Sequence, residues 1–433
     1  MKPIQGMQGS EQAQGERSMS RHAVEAAIIL CAVTIALSVA FWPGSRRLTP
    51  PVAHAQPAFK YTGSASCAAS NCHGSTKPQA EYPRLNESIV WLQKDKHAKA
   101  YDTLTNEKLK SGVSPAKVVK GLGIARAETS ARCLTCHAVN VKPELRGPKF
   151  DVSDGVHCDG CHGPAEKWLE PHAEKGWSHE QSVKLGMYDT KNLLLRAEKC
   201  VSCHLHIDAD MVAAGHPDLL AFELDTFSLQ MPPHWRDRGT WFGARVWATG
   251  QVISLREAAR QLADRAKSNA APKILADAAQ KVRGHGVVVG QVFAVLVPDA
   301  GKSLEQDLAA VADIVTKGDR TGMGDVTARL IASANQHAPK VAARELDQAT
   351  TQTLLRAVAG HGDAIAAAGI RGAEQGAMAL DRLYAAYSRA PGNKPDKAAS
   401  DALDRVFGML DDPAKFDPAK FAADVKSFRQ TLK

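Results

Sequence analysis

Eight of the nine cysteines lie between residues 67 and 204 in four pairs, and each pair is followed at once by a histidine. Three copies read Cys133-Leu134-Thr135-Cys136-His137, Cys158-Asp159-Gly160-Cys161-His162 and Cys200-Val201-Ser202-Cys203-His204. The first is expanded by two residues, Cys67-Ala68-Ala69-Ser70-Asn71-Cys72-His73. C-x-x-C-H is the attachment signature of c-type haem. Two thiols one turn apart reach the two vinyl groups on one edge of the porphyrin, and the next residue offers its imidazole to the iron. Structural zinc also uses paired cysteines, but it needs no histidine directly after the second one. Cys67 and Cys72 have no other cysteine to pair with in the downstream part of the chain. The motifs therefore predict four covalently bound haem c groups, held by Cys67, Cys72, Cys133, Cys136, Cys158, Cys161, Cys200 and Cys203. His73, His137, His162 and His204 are the proximal ligands.

Low-spin electron-transfer haems need a second strong ligand on the distal face. Of the twelve remaining histidines, the useful candidates are His97, His157, His172, His179, His206, His216 and His234. His216 is framed by Gly215 and Pro217, which would pin a loop. For a fourth ligand, His234, with Pro232-Pro233 before it and Trp235 after it, competes with His206, His157, His179 and an open coordination position. His157 directly precedes Cys158 and is poorly placed to turn back on another haem.

These motifs must be carried by a chain of 433 residues, enough for two globular units and a leader. Hydrophobic content is 44% and aromatic content only 6%, so haem macrocycles would supply the missing flat apolar surface. The formal charge of +8 omits the haem propionates, which bring it towards neutrality. With no Lys/Arg cluster interleaved with aromatics, nucleic-acid binding is excluded.

Residues 1–22 are polar and read as a cytoplasmic n-region. Residues 23–42 contain the apolar run Ala26 to Trp42, at the short end for a membrane span and the long end for a signal-peptide core. Ala53-His54-Ala55 is a cleavage-type signal some ten residues further on. Cleaved signal peptide and retained inner-membrane anchor both stay open, and both place the rest in the periplasm. Residues 43–60 read as a linker, and 61–238 as a tetrahaem domain with short helices and frequent turns. From 239 to 433 cysteine disappears and helical periodicity takes over, as at Leu308, Val311, Ala312 and Val315. Asp417-Pro418 is a helix start, and Pro391-Gly392-Asn393 a break. The valine-rich stretch 287–297 fits helix or buried strand. The expected fold is mainly α: a multihaem cytochrome c domain with little regular secondary structure, then an all-α bundle of six to eight helices. His285, His337 and His361, scattered in that bundle, read as structural or exposed.

Asp95-Lys96-His97-Ala98-Lys99-Ala100-Tyr101 resembles the H-A-K-A segment of the cytochrome c-554 family of tetrahaem electron carriers. Gly155 to Pro164, with His172 beyond, resembles that family's third haem block, and Lys199 to Leu205 its fourth. The likeness covers roughly residues 61–207. It implies that His97 and His172 are distal ligands to haems other than their sequence neighbours, and that the second haem is the one left five-coordinate. It also implies a periplasmic shuttle between redox partner proteins, including a quinone-linked membrane complex. The expanded first motif, His216, His234 and the helical C-terminal part depart from the family pattern. The alternative is a multihaem reductase or oxidase acting on a small nitrogen or sulfur compound at one five-coordinate haem.

Overall fold

The computed structural model describes residues 59–432 apart from 107–108, 110–111, 206, 220–221 and 232–238. The leader and most of the expected linker, together with His206 and His234, lie outside the described residues. Within them all regular secondary structure is helical, and β pairing is limited to one bridge between Tyr61 and Arg146.

The haem-motif part uses short helices: α1 Glu87–Lys94, α2 Asp102–Thr105, α3 Pro115–Leu122, α4 Ala131–His137, α5 Cys158–His162, α6 His179–Lys184, α7 Leu193–Val201, α8 Ala209–Ala213 and α9 Leu224–Gln230. Side chains that satisfy the first free N–H groups start several of them. Ser178 and Gln181 form a reciprocal capping box on α6, Asn192 caps α7, and Asp208 caps α8. The bundle part has nine α-helices among the described residues: α10 Phe242–Lys267, α11 Pro272–Leu296, α12 Gly301–Lys317, α13 Arg320–Ala342, α14 Gln348–Ala359, α15 Gly362–Ala367, α16 Ile370–Arg389, α17 Lys397–Gly408 and α18 Pro418–Thr431. That is one more than the upper expectation, because Gly360 and Gly362 set off the short α15 from α14. Asp417 caps α18 with Pro418 at its first position, as the sequence suggests. The valine-rich stretch is the end of α11. It is buried because α11 packs against α10, α12 and α16, so its apolar residues face partners on more than one side. At the α11–α16 contact a Cβ on Gly284 would lie 2.6 Å from the Cα of Gly372, so only glycine permits this approach.

One buried core runs through both parts. Leu193, Ala197 and Val201 of α7, then Leu205, Phe222 and Leu224, join Trp247, Leu255, Leu262, Val292, Phe293, Leu330, Leu380 and Leu383 of the bundle. Each large side chain so buried contributes about 1.5–3 kcal/mol. The core therefore crosses the boundary expected at 238/239, and α7 packs directly on α10 and α13.

That core contains a carboxyl. Glu223 is fully buried and accepts from the side-chain amides of Gln251 and Gln375, each at 2.6 Å. Burial pushes it up to about 8, with the neighbouring Asp225 carboxylate adding to the rise. An acid with a raised folded pKa keeps a proton that the unfolded chain has already released, so stability falls as pH rises towards that pKa. Asp225, pushed to about 6, has the same sign but acts lower. His285, depressed to about 3 by burial, has the opposite sign below the usual histidine range. Between pH 6.5 and 8 Glu223 is therefore exposed to view. Glu223→Gln is expected to remove up to about 2 kcal/mol of the stability loss seen across that window. Denaturant melts of both proteins at the two pH values measure it, and parallel pH slopes would refute the assignment.

Candidate functional site

The second, third and fourth motifs each sit on or at the end of a short helix. Cys133, Cys136 and His137 lie on α4, and Cys158, Cys161 and His162 on α5. Cys200 lies on α7, with Cys203 and His204 in the turn after it. One helical turn is what brings two thiols and the next imidazole to one side. The expanded first motif closes differently. His73 N–H donates to the Cys67 carbonyl at 3.1 Å and Cys72 N–H to that of Ala69 at 2.9 Å, so the extra residues loop out.

Three of the proximal histidines face a second imidazole. The ring centres of His73 and His172 are 6.1 Å apart with planes 6° from parallel. His97 and His204 are 6.2 Å apart at 88°, and His137 and His216 are 6.3 Å apart at 82°. Metal–imidazole bonds of about 2.0–2.1 Å, with each ring centre ~1.1 Å beyond its nitrogen, put two imidazoles on one metal ion ~6.3 Å apart. The residues thus fit an iron held between each pair. The second site, expected to be open, has His216 opposite His137. Gly215, at φ 100°, turns the chain back after α8 and sets His216 over α4.

The ring nitrogens agree. A metal-bound histidine donates its other N–H to a carboxylate or carbonyl, which fixes the ring. Here Nδ1–H of His73 donates to Glu87 at 2.9 Å, and that of His97 to Asp95 at 2.9 Å. His137 donates to the Ala100 carbonyl at 3.0 Å beside Thr103 Oγ1 at 2.8 Å, His172 to the carbonyls of Leu169 and, at 3.1 Å, Trp168, and His216 to that of Pro217 at 2.8 Å. These bonds leave Nε2 for a metal. The Asp95 hydrogen bond raises the basicity of His97, while burial lowers that of His137 and takes His204 down to about 4. A depressed imidazole stays neutral, the form that binds iron. His204 packs instead against Phe222 and Phe227, each ring centre 5.1 Å away.

The motifs also touch one another. The sulfurs of Cys67 and Cys158 are neighbours. Those of Cys136 and Cys203 are neighbours as well. The first motif is thus beside the third, and the second beside the fourth. No disulfide joins any of the eight cysteines among the described residues.

Of the competing histidines, His179 is engaged elsewhere, while His157 is buried with neither ring nitrogen hydrogen-bonded. His157 is buried edge-on to Phe150, its Nδ1 3.9 Å from Asp159, and burial takes it down to about 4. His179 Nε2 pairs with Asp189 at 2.8 Å. His162 closes α5, its carbonyl accepting from Tyr188 N–H at 2.8 Å. His234, which competes with His206, His157, His179 and an open position as the fourth distal ligand, lies outside the described residues, as does His206. In the bundle, His337 is edge-on to Phe293, and His361 donates to the Ala357 carbonyl. The reading of residues alone missed Glu87, Trp168, Phe222 and Phe227, the groups that orient or pack the imidazoles. Only the Asp95-Lys96-His97 spacing carries a local signal of this kind.

No helix among the described residues is long and apolar enough to cross a membrane, and residues 23–42 are not among them. The comparison with curated proteins and that with solved structures each found no match. Residues 66–163, spanning the first three motifs and His97, match the family model described as cytochrome c554 and c-prime. Over that span the chain is similar to the c-type cytochromes of the cytochrome c554 family, a likeness that points to electron transfer with covalently bound haem c.

Proposed function

We propose that the chain is an exported tetrahaem electron carrier in which at least three irons are six-coordinate with two histidines. The first site comprises Cys67, Cys72, His73 and His172. The second comprises Cys133, Cys136, His137 and His216, and the fourth Cys200, Cys203, His204 and His97. The third has Cys158, Cys161 and His162, with His234 as its distal ligand. Bound haem c supplies a one-electron ferric/ferrous couple at each site. The polypeptide sets spacing, exposure and potential. Asp95 and Glu87 enrich the electron density of His97 and His73, which favours the ferric state, and Phe222 and Phe227 shield His204 from water. The closeness of Cys67 to Cys158, and of Cys136 to Cys203, supports two close pairs of sites and short electron-transfer steps.

The observation that carries this reading is the set of three facing imidazole pairs, each with the separation one shared iron requires. The apolar run in residues 23–42 supports a periplasmic location, either free after cleavage or anchored to the inner membrane. Redox proteins, including a quinone-linked membrane complex, are the partners this implies. Protein-film voltammetry tests the role. The expected result is reversible one-electron waves with no catalytic current on adding hydroxylamine, nitric oxide, nitrite or sulfite. A current that grows with the concentration of any of them would replace the carrier with the enzymatic alternative.

A further inference from the structure

α10 carries a row of polar side chains inside the bundle core: Gln251, Ser254, Gln261 and Arg265, all buried and all on one face. Polar groups are costly there unless each has a partner. Most of the partners lie on one stretch of chain, residues 205–223, the others being Gln375 on Gln251, Lys281 on Gln261 and the Ile274 carbonyl on Arg265. Gln251 donates to Glu223 at 2.6 Å, and Ser254 to the Phe222 carbonyl at 3.5 Å. Gln261 donates to the carbonyls of Leu205 and Ile207, both at 3.2 Å. Arg265, 1% exposed, grips the Asp218 carboxylate with both terminal nitrogens at 2.7 and 2.9 Å, and also donates to the Ile207 carbonyl at 3.0 Å. From α11, the fully buried Lys281 donates to the Leu219 carbonyl at 2.9 Å.

This stretch holds His216, and Asp218 is two residues beyond it. At its other end Asp208, the cap of α8, receives Arg132 at 2.6 and 3.1 Å, and Arg132 directly precedes Cys133 of the second motif. His216 is therefore suspended between one anchor on the haem motif and one on the bundle. A planar guanidinium forked onto a carboxylate fixes direction as well as distance. We propose that Arg265 and Asp218 are positioning residues that hold His216 on the second iron, so that the helical bundle sets the coordination state of that haem. The inference rests on the reading of His216 as the distal ligand of that site. It also gives the C-terminal bundle a task within the electron-transfer module.

The test uses the full-length, haem-loaded protein and carbon monoxide as the probe, because carbon monoxide binds a reduced iron only where an imidazole has left. Apparent affinity scales with the open fraction, so a tenfold rise in opening gives an about tenfold rise in affinity. His216→Ala serves as the reference for a fully open second site. Asp218→Asn and Arg265→Gln are each expected to raise carbon monoxide affinity at one haem per chain about tenfold or more. The first and fourth sites should keep their low-spin signals, and Arg265→Lys, which keeps the charge but not the fork, should lie between. Should Arg265→Gln fail to fold, Asp218→Asn, on the strap formed by residues 205–223, carries the test alone. If His216→Ala opens one iron while Asp218→Asn leaves carbon monoxide binding at the wild-type level, the positioning role is wrong and the ligand reading stands. If His216→Ala opens no iron, both fall together.

Discussion

Intact-mass measurement of the protein, expressed where haem is ligated to apocytochromes, is expected to give the polypeptide plus four haems. The sharpest part of this prediction concerns the first motif, whose extra residues depart from C-x-x-C-H. Its backbone closes on itself, with His73 N–H on the Cys67 carbonyl, so both thiols and the imidazole stay on one compact turn. Cys67→Ala with Cys72→Ala is expected to lower the mass by one haem and leave three. The same pair of changes at Cys158 and Cys161 should also remove one haem. There it should cost stability as well, because α5 is tucked among buried neighbours: Asp159, next to Cys158, accepts from Gly63 N–H at 2.8 Å in a buried bond. Three haems in the unaltered protein would mean that the first motif is not an attachment site.

Much of this was legible in the residues because covalent haem attachment is a local signal. Two thiols and an imidazole must be adjacent in sequence to be adjacent in space, and the four motifs announce themselves. Helix starts such as Asp417-Pro418 are equally local. The distal ligands are not, because His172 meets His73 across ninety-nine positions of chain, and His97 meets His204 across more. His216 was singled out by its Gly215 and Pro217 frame, but its partner was not. The second site was expected to be the open one, and His216 stands opposite His137 because Gly215 turns the chain after α8. Nor could periodicity reveal that α10 mixes Gln251, Ser254, Gln261 and Arg265 into a buried face. A helical wheel reports polarity, whereas the strap that satisfies these groups comes from another part of the chain. For the same reason the boundary expected at 238/239 cuts through a shared core.

Replacing a distal ligand is the second change with a large expected effect. His172 is fixed by its Nδ1–H bond to the Trp168 carbonyl and by the edge-on Trp168 ring 5.6 Å away, itself anchored to the Pro164 carbonyl at 2.8 Å. His97 is fixed by Asp95. His172→Ala and His97→Ala should each convert one low-spin iron to high spin and leave the others unchanged. Carbon monoxide titration of the reduced variants should then count one new binding haem per chain. If either variant kept every low-spin signal, the corresponding pairing would be wrong.

Electron paramagnetic resonance of the oxidised, unaltered protein tests the three pairings most directly, because it reads ring geometry as well as ligand number. Parallel imidazole planes split the two iron π-orbitals and give an ordinary rhombic low-spin signal. Perpendicular planes leave those orbitals nearly degenerate and give a broad, highly anisotropic one. With planes at 6° for His73 and His172, but at 82° and 88° for the other two pairs, the account predicts one rhombic signal lost in His172→Ala. It also predicts two highly anisotropic signals, one lost in His97→Ala and the other in His216→Ala. A rhombic signal that is not diminished in His172→Ala, or an unaltered protein with no highly anisotropic low-spin iron, would contradict the arrangement of ligands set out here.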